Sequence, residues 1–266
     1  MTAMYVLVTN DDGIDSEGLS VLAATARRRG HAVTVVAPCW DSSGASASLT
    51  GVRDGARLVL DPRPWPGWPA ESVYGAEASP ALIVRLALGG DFGHPPDIIL
   101  SGINRGANTG RAILHSGTVG AALTAYNHGC PGLAVSLATG RPAGNEHWDT
   151  AAAVAGWVLD WLVKDGRRLV INCNVPDLPE DRLAGVRVGR LATIGAVEST
   201  MTQRAGGAVP LTFGEEGDGL GDVTDAELLA RDYACVTAVV PVSEDPSVDL
   251  TAALAPGGFG GRPRRQ

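Results

Sequence analysis

Short apolar runs alternate with segments in which apolar residues recur every three or four positions, and this alternation continues through the first two thirds of the chain. The runs predict strands, and the periodic segments predict amphipathic helices. The predicted strands are residues 4–9, 32–37, 97–100, 133–137 and 169–172, and the predicted helices are residues 16–29, 79–88, 117–127 and 150–164. Because strands joined by helices form right-handed crossovers, we expect an α/β fold with a mostly parallel sheet.

The pattern weakens after Arg190, where glycines interrupt the sequence TMTQRAGGAVPLTFGEEGDGLGD. Residues 233–240 then alternate between apolar and polar as a strand does. We interpret residues 1–190 as an α/β core, 191–232 as an extended arm or hairpin, 233–255 as a returning strand with a C-terminal segment, and 256–266 as a disordered tail. In the core, Trp157 and Trp161 lie one helical turn apart, which predicts two aromatic residues on a buried face.

The composition is that of an ordinary globular protein, with 266 residues of which 45% are hydrophobic. The formal net charge of -8 argues against a broad surface for duplex nucleic acid. We find neither a signal peptide nor an apolar stretch of about 18 residues, so we expect no membrane segment and a cytoplasmic location. The four cysteines are far apart, and we expect reduced, mostly buried thiols.

Two adjacent carboxylates, Asp11 and Asp12, follow the first predicted strand in VLVTNDDGID. Ligands of open parallel sheets bind at this end of the strands, but two carboxylates would repel a dinucleotide phosphate. A haloacid-dehalogenase-like phosphatase would carry a nucleophilic Asp where this chain has Asn10. The pair therefore favours a hard divalent cation, Mg²⁺ or Mn²⁺, and the alternative is that it caps the next helix.

Two further loops follow predicted strands and carry suitable polar groups. PCWDSSGASASLT supplies neutral hydroxyl oxygens, and SGINRGANTGRAILHSGTVGAA combines several glycines with the start of a small-residue helix. Glycines allow backbone N–H groups to turn toward an anion, and a helix N-terminus adds partial positive charge. Carboxylates for a metal and a loop for phosphate together indicate metal-assisted hydrolysis of a phosphate ester.

Six segments resemble, in the same order, the SurE family of metal-dependent nucleotidases: NDDGID, SGASASLT, SGINRGANTG, HSGTVGAA, INCNVPD and YACVTAVVP. The resemblance covers about the first 190 residues and resumes near Asp225. It implies a Rossmann-like three-layer fold, one divalent metal ion per subunit, and release of phosphate from nucleoside 5'- and 3'-monophosphates, with some members acting on polyphosphate. The arm matches the family's oligomerisation region, which implies a homodimer or homotetramer.

The resemblance also implies roles for individual residues. The metal ligands would be Asp11, Asp12, Ser43 and Asn104. The phosphate contacts would come from Ser46, Asn108, Ser116, Gly117 and Thr118. Asp11 is the candidate for orienting or deprotonating the attacking water, and Asn108 and Ser116 would stabilise the developing charge. His115 either protonates the leaving alkoxide or fills the space where relatives usually carry Tyr.

Four positions depart from what relatives commonly carry, and none belongs to the implied metal set: Trp40, Ala47, Leu82 and Thr124. They leave hydrolysis intact as an expectation but put the preferred nucleotide in doubt. Two alternatives therefore stay open. The protein is a phosphatase adapted to another small phosphate ester, or it is a low-turnover nucleotide- or phosphate-binding protein on the same scaffold.

Overall fold

The structure is a computed structural model that describes residues 3–54, 57–69, 71–139, 145–193 and 223–248. The strands are β1 Tyr5–Thr9, β2 Ala32–Pro38, β3 Arg53–Asp54, β4 Arg57–Leu58, β5 Leu60–Pro62, β6 Val73–Ala76, β7 Ile98–Arg105, β8 Gly132–Ala138, β9 Val170–Pro176, β10 Gly185–Val188 and β11 Tyr233–Val239. The α-helices are α1 Glu17–Arg28, α2 Pro80–Leu88, α3 Gly117–Asn127, α4 Trp148–Asp165 and α5 Asp225–Leu229, and the 3-10 helices are Gly110–His115 and Glu180–Arg182.

Within the described residues, nine strands form one sheet in the order β10-β11-β9-β8-β7-β1-β2-β6-β5, and β3 pairs with β4 separately. The pairs from β9 through β8, β7, β1 and β2 to β6 are all parallel. Strand β11 is antiparallel to β9, and β5 is antiparallel to β6. The expectation of an α/β fold with a mostly parallel sheet is confirmed.

Helices cover both faces of the sheet and make three layers. Alternate residues of a strand point to opposite faces. Val6 and Val8 of β1 pack in a core cluster with α1 and α4, whereas Leu7 packs in a second cluster with α2 and α3. The carboxyl ends of β1, β2 and β7 consequently meet the start of α3 at one edge of the sheet.

The helix ends follow local sequence signals. Ser116 precedes α3, and its hydroxyl accepts a hydrogen bond from Val119 N at 3.1 Å. Pro80 opens α2, where its missing N–H costs no helical bond. Helix α4 ends at Gly166, which has a φ of +71° that glycine adopts without strain.

Two strands extend further than the apolar pattern predicts. Strand β7 continues beyond Leu100 to Arg105, and β9 continues to Pro176. Their extensions carry buried polar side chains, Asn104 in β7 and Asn174 in β9, so the apolar pattern ends while the pairing with β8 goes on. The pattern also does not predict β5, β6 and β10, which are too short to show a period.

The prediction that Trp157 and Trp161 face the core is wrong, because their exposed fractions are 56% and 39%. The buried side of α4 carries small and aliphatic residues, together with Trp148 at the start of the helix. A Cβ added at Gly156 would lie 2.0 Å from the guanidinium group of Arg29, which closely approaches α4 after the end of α1. The face of α4 that carries Ala151, Ala155 and Leu162 packs in the core, and Trp157 and Trp161 lie on the opposite face.

The returning strand is observed as β11, but residues 225–229 are helical rather than part of an extended arm. Residues 194–222 and the predicted tail at 256–266 lie outside the described residues, so the segment boundaries stay predictions. Cys130, Cys173 and Cys235 are buried and free, as expected, whereas Cys39 is exposed. In the described part of the chain, no helix combines the length and apolar character that a bilayer crossing requires.

Candidate functional site

Asp11 follows β1 and lies against the N-terminus of α3. Its Oδ1 accepts a hydrogen bond from Thr118 Oγ1 at 2.5 Å, and Thr118 N–H also faces the carboxylate. A Cβ added at Gly117 would lie 2.6 Å from Asp11 Oδ2, so only glycine allows this approach. The carboxylate therefore interacts with α3 rather than capping α1, which begins after Ser16.

Asp12 contacts β7 beside the predicted amide ligand. Its Oδ2 accepts a hydrogen bond from Arg105 N at 3.0 Å, and Arg105 directly follows Asn104. The Nδ2 of Asn104 donates to Gly106 O at 2.9 Å. Because the nitrogen is held in this way, the amide oxygen of Asn104 is the atom left to bind a ligand.

The loop after β2 lies on the same edge of the sheet. Ser42 N donates to the backbone oxygen of Asp11 at 2.7 Å. Ser43 is the next residue, so this bond holds it near the carboxylate pair. Ser43 N and Oγ both donate to Asp41 Oδ1, at 2.9 and 2.5 Å. The hydroxyl hydrogen of Ser43 is thus directed to Asp41, which leaves its lone pairs free to bind a cation.

Ser46 fastens this loop to the start of α3. Its Oγ donates to Leu114 O at 2.7 Å, and its backbone oxygen would lie 2.4 Å from a Cβ at Gly120. The hydroxyl predicted to contact phosphate therefore holds the loop in place. Phosphate binding by Ser46 stays a prediction.

The two carboxylates are electrostatically unfavourable as a pair. Burial raises the pKa of Asp11 above its ordinary value, and the Thr118 hydrogen bonds oppose the rise. Burial and the charge of Asp11 raise the pKa of Asp12 to about 7, with a further contribution from Asp41. A divalent cation would reverse both shifts, because it favours the ionised form of each carboxylate.

The chemistry of the predicted ligands fits Mg²⁺ or Mn²⁺. The set consists of two carboxylates, one hydroxyl and one amide oxygen, all of them the hard oxygen donors that these ions prefer. Across the described ranges, no three His, Cys, Asp or Glu side chains form a metal-binding cluster. A metal here would therefore depend on neutral oxygens from Ser43 and Asn104.

The predicted phosphate groups surround the start of α3. Ser116 is its N-cap, and the N–H groups of Gly117 and Thr118 belong to the first turn, where intrahelical partners are missing. Asp11 already receives the Thr118 N–H, so the carboxylate and the predicted phosphate share this helix end. The positive end of the helix favours negative charge from either source.

Asn108 is buried in a network of polar side chains. Its N donates to Asn174 Oδ1 at 2.8 Å, and its Nδ2 donates to Ser136 Oγ at 2.8 Å. Its backbone oxygen accepts from Nδ2 of Asn172 and Asn174, at 2.9 and 2.8 Å. These contacts hold the loop after β7 onto β8 and β9 and leave one Nδ2 hydrogen of Asn108 for a ligand.

Two histidines lie near the same edge of the sheet. His115 is exposed at the end of the 3-10 helix, directly before Ser116, so its role as an acid stays a prediction. His147 has a carboxylate partner that its sequence neighbourhood does not predict: Nδ1 lies 2.9 Å from Asp177 Oδ1. Glu146, the residue before His147, pairs with Arg105 next to the candidate metal site.

Sequence reasoning missed Asp41 and Asp225. Asp41 and Ser43 form an Asx turn, in which the Asp side chain accepts a hydrogen bond from the backbone N–H two residues later. The sequence DSS at residues 41–43 could have indicated this turn. Asp225 is the first residue of α5, and Thr224 and Glu227 form the capping box of this helix. The capping box predicts the start of the helix but not the contacts of the Asp225 carboxylate.

The four unusual positions separate into two groups. Leu82 is buried in the core, and Thr124 Oγ1 donates to Gly120 O at 2.7 Å within α3. Trp40 and Ala47 are exposed in the loop after β2. Only the latter pair lies in a loop of the candidate site.

Comparisons with known proteins identify the family to which the chain is similar. The family model described as Survival protein SurE matches residues 6–197. A 5'-nucleotidase SurE of Actinobacillus pleuropneumoniae serotype 5b (strain L20) is 39% identical over 249 residues, covering 89% of this chain and 93% of that protein. A 5'-nucleotidase SurE of Haemophilus ducreyi is 38% identical over 244 residues, with the same coverage of 89% and 93%.

A crystal structure of the SurE protein from Aquifex aeolicus is similar with a TM-score of 0.72. It covers 94% of this chain and 98% of that chain at 24% sequence identity. At this identity, the likeness bears on the fold alone, and it agrees with the three-layer α/β architecture.

Proposed function

This chain belongs to the SurE family, as its motifs indicate, and we infer that it is a nucleotidase that releases phosphate from nucleoside 5'-monophosphates. We propose further that hydrolysis depends on one divalent metal ion per subunit and extends to nucleoside 3'-monophosphates. A homodimer or homotetramer and a cytoplasmic location are part of the same proposal.

One observation carries the proposal: two adjacent, largely buried carboxylates lie at the carboxyl end of β1, against the N-terminus of α3. Asp11 contacts Thr118, and Asp12 contacts the backbone beside Asn104. A carboxylate pair of this kind repels an anion unless a cation lies between them, whereas the helix end attracts one. Together they support a site for a metal and a phosphate group.

Asp11, Asp12, Ser43 and Asn104 would hold the metal. When bound, the ion supplies Lewis-acid polarisation of a phosphoryl oxygen and lowers the pKa of a water molecule. Asp41 orients the Ser43 hydroxyl, and Gly106 orients the Asn104 amide, so both oxygens are positioned before binding.

The chain's own groups would bind the phosphoryl group and move protons. The Gly117 N–H and the remaining Nδ2 hydrogen of Asn108 can donate to phosphoryl oxygens as negative charge develops. Ser116 keeps the first turn of α3 in place through its bond from Val119 N. Asp11 would orient or deprotonate the attacking water, and His115, which is exposed, would protonate the leaving oxygen.

The direct test is phosphate release from purified protein. The panel contains nucleoside 5'- and 3'-monophosphates, sugar phosphates and an aryl phosphate, each with Mg²⁺, Mn²⁺ or a chelator. We expect release from 5'-monophosphates with metal and its loss with chelator. Release that is unchanged by a chelator would contradict the metal dependence, and no release from any substrate would contradict the enzyme.

A second candidate substrate class is favoured by one observation. Trp40 is 40% exposed in the loop that carries Ser43. An indole can stack on a nucleobase or on another flat group. A higher kcat/KM for an aryl phosphate than for every nucleotide would favour the adapted phosphatase.

A further inference from the structure

Asp225 connects three segments that are far apart in sequence. Its carboxylate is fully buried, and its Oδ2 accepts a hydrogen bond from Gly110 N at 2.8 Å. Its Oδ1 accepts from Ala192 N at 3.0 Å and from Ala226 N at 2.9 Å. One side chain therefore holds the loop after β7, the segment after β10 and the start of α5.

Backbone hydrogen bonds strengthen this junction. Asp225 N donates to Arg190 O at 2.7 Å, and Arg111 N donates to Ala192 O at 2.9 Å. The first turn of the 3-10 helix is thus fastened to residues 190–192 on one side and to Asp225 on the other.

The segment from Asn108 to Gly110 is held at both ends, and Asp225 holds the end at Gly110. Asn108 is hydrogen-bonded to Asn172 and Asn174 of β9. Gly110, two residues after Asn108, is hydrogen-bonded to Asp225. The 3-10 helix then runs from Gly110 to His115 and delivers Ser116, the N-cap of α3. Displacing Gly110 would therefore displace the start of α3.

The environment of Asp225 requires its hydrogen bonds. Burial raises the pKa of this carboxyl, and the three backbone N–H groups oppose the rise. A buried carboxylate without donors is costly, so the peptide groups of Gly110 and Ala192 are strongly held while Asp225 is present.

We propose that Asp225 is a positioning residue for phosphate binding: it sets the place of Gly110 and, through the 3-10 helix, of the Ser116–Gly117 helix end. This inference rests on the phosphatase function proposed above. Asp225 acts through backbone groups and does not itself contact the substrate.

The test compares Asp225→Asn with Glu227→Gln. Asparagine keeps the size of the side chain but turns an NH₂ group toward one of the peptide N–H donors. Glu227→Gln alters the cap of the same helix and leaves the Gly110 contact intact. Inorganic phosphate and Mn²⁺ serve as separate probes, and their affinities are measured by titration calorimetry without substrate.

For Asp225→Asn, we expect phosphate affinity to fall about fivefold to tenfold and KM to rise similarly, because a buried donor loses its acceptor. Mn²⁺ affinity should stay within about twofold of wild type, because Asp225 bonds to the backbone of Gly110, Ala192 and Ala226 and to none of the four predicted metal ligands. Glu227→Gln should leave both affinities within the same limit. If Asp225→Asn does not fold, Asp225→Glu keeps the charge, shifts the contact, and should show the same selective loss.

Three outcomes would overturn the inference. The first is an unchanged phosphate affinity in the folded Asp225 variant. The second is an equal loss of phosphate and Mn²⁺ affinity, because an equal loss indicates general loosening of the site. A wild-type protein that neither binds nor releases phosphate contradicts the proposed function itself, and the inference falls with it.

Discussion

The molecule contains two sets of buried carboxylates that are stabilised in different ways. Asp225 accepts three backbone N–H groups, and no acidic side chain among the described residues raises its pKa. Asp11 and Asp12 lie side by side, with Asp41 adding negative charge, and Asp12 receives one backbone N–H from Arg105. The backbone N–H groups of the chain stabilise the Asp225 carboxylate, whereas the Asp11–Asp12 pair is suited to binding a cation.

This difference distinguishes a structural carboxylate from a proposed metal ligand. Peptide N–H groups around Asp225 supply the favourable charge that water would supply in the unfolded chain. At Asp12, burial and the nearby acidic groups both oppose ionisation, so its pKa rises to about 7. Metal ions should therefore affect the second site and leave the first unchanged.

The largest effect is expected from Asp12→Asn, which removes one charge from the pair. Phosphate release should fall at least about a thousandfold, or about 4 kcal/mol in activation free energy, because the metal loses a charged ligand. Steady-state kinetics with Mg²⁺ and Mn²⁺ measures this. Asp15→Asn is the matched control, since Asp15 lies in the same loop with a side chain that is 79% exposed. A comparable loss in both variants would contradict a specific role for Asp12.

Metal binding should stabilise the fold, and more strongly at neutral pH than at acidic pH. Asp12 has a higher pKa when folded than its ordinary 3.8, so in chelator-treated protein its contribution to stability falls as pH rises from about 4 to about 7. Mn²⁺ at 100 times its Kd should restore about 3 kcal/mol at pH 7. At pH 5, protons compete with the ion and reduce the gain. Urea unfolding at both pH values measures this, and an equal gain at both would contradict it.

Asp225→Asn should lower the free energy of unfolding by about 2 kcal/mol, because a peptide donor loses its buried acceptor. The gain in stability from Mn²⁺ should be the same as in wild type, because Asp225 bonds to none of the proposed metal ligands. Urea unfolding with and without Mn²⁺ gives both quantities. A metal-dependent gain that disappears in this variant would show that the two carboxylate sites are not independent.

The smallest effect is expected from Asp41→Ala. Losing the acceptor for Ser43 Oγ and one negative charge should weaken Mn²⁺ binding about tenfold, or about 1.4 kcal/mol. Calorimetric titration of Mn²⁺ measures this. Asp91→Ala removes the same charge from an exposed turn after α2 and serves as the control. Equal affinity in Asp41→Ala and wild type would remove Asp41 from the support of the site.

The sequence by itself determined the strand–helix alternation, the position of Asp11 and Asp12 after the first strand, and the glycine-rich segment before α3. These features are local: apolar periodicity reports which face is buried, and a parallel sheet brings successive strand ends to one edge. The six ordered motifs indicated the family for the same reason, since each is a short segment with a fixed spacing.

Tertiary structure alone decided which groups surround each carboxylate. Thr118 contacts Asp11 across 107 residues, and Asp225 contacts Gly110 across 115 residues. Packing also decided which face of α4 is buried, and that choice leaves Trp157 exposed. Such contacts depend on how helices pack on the sheet, and the periodicity of one segment contains no information about its distant partners.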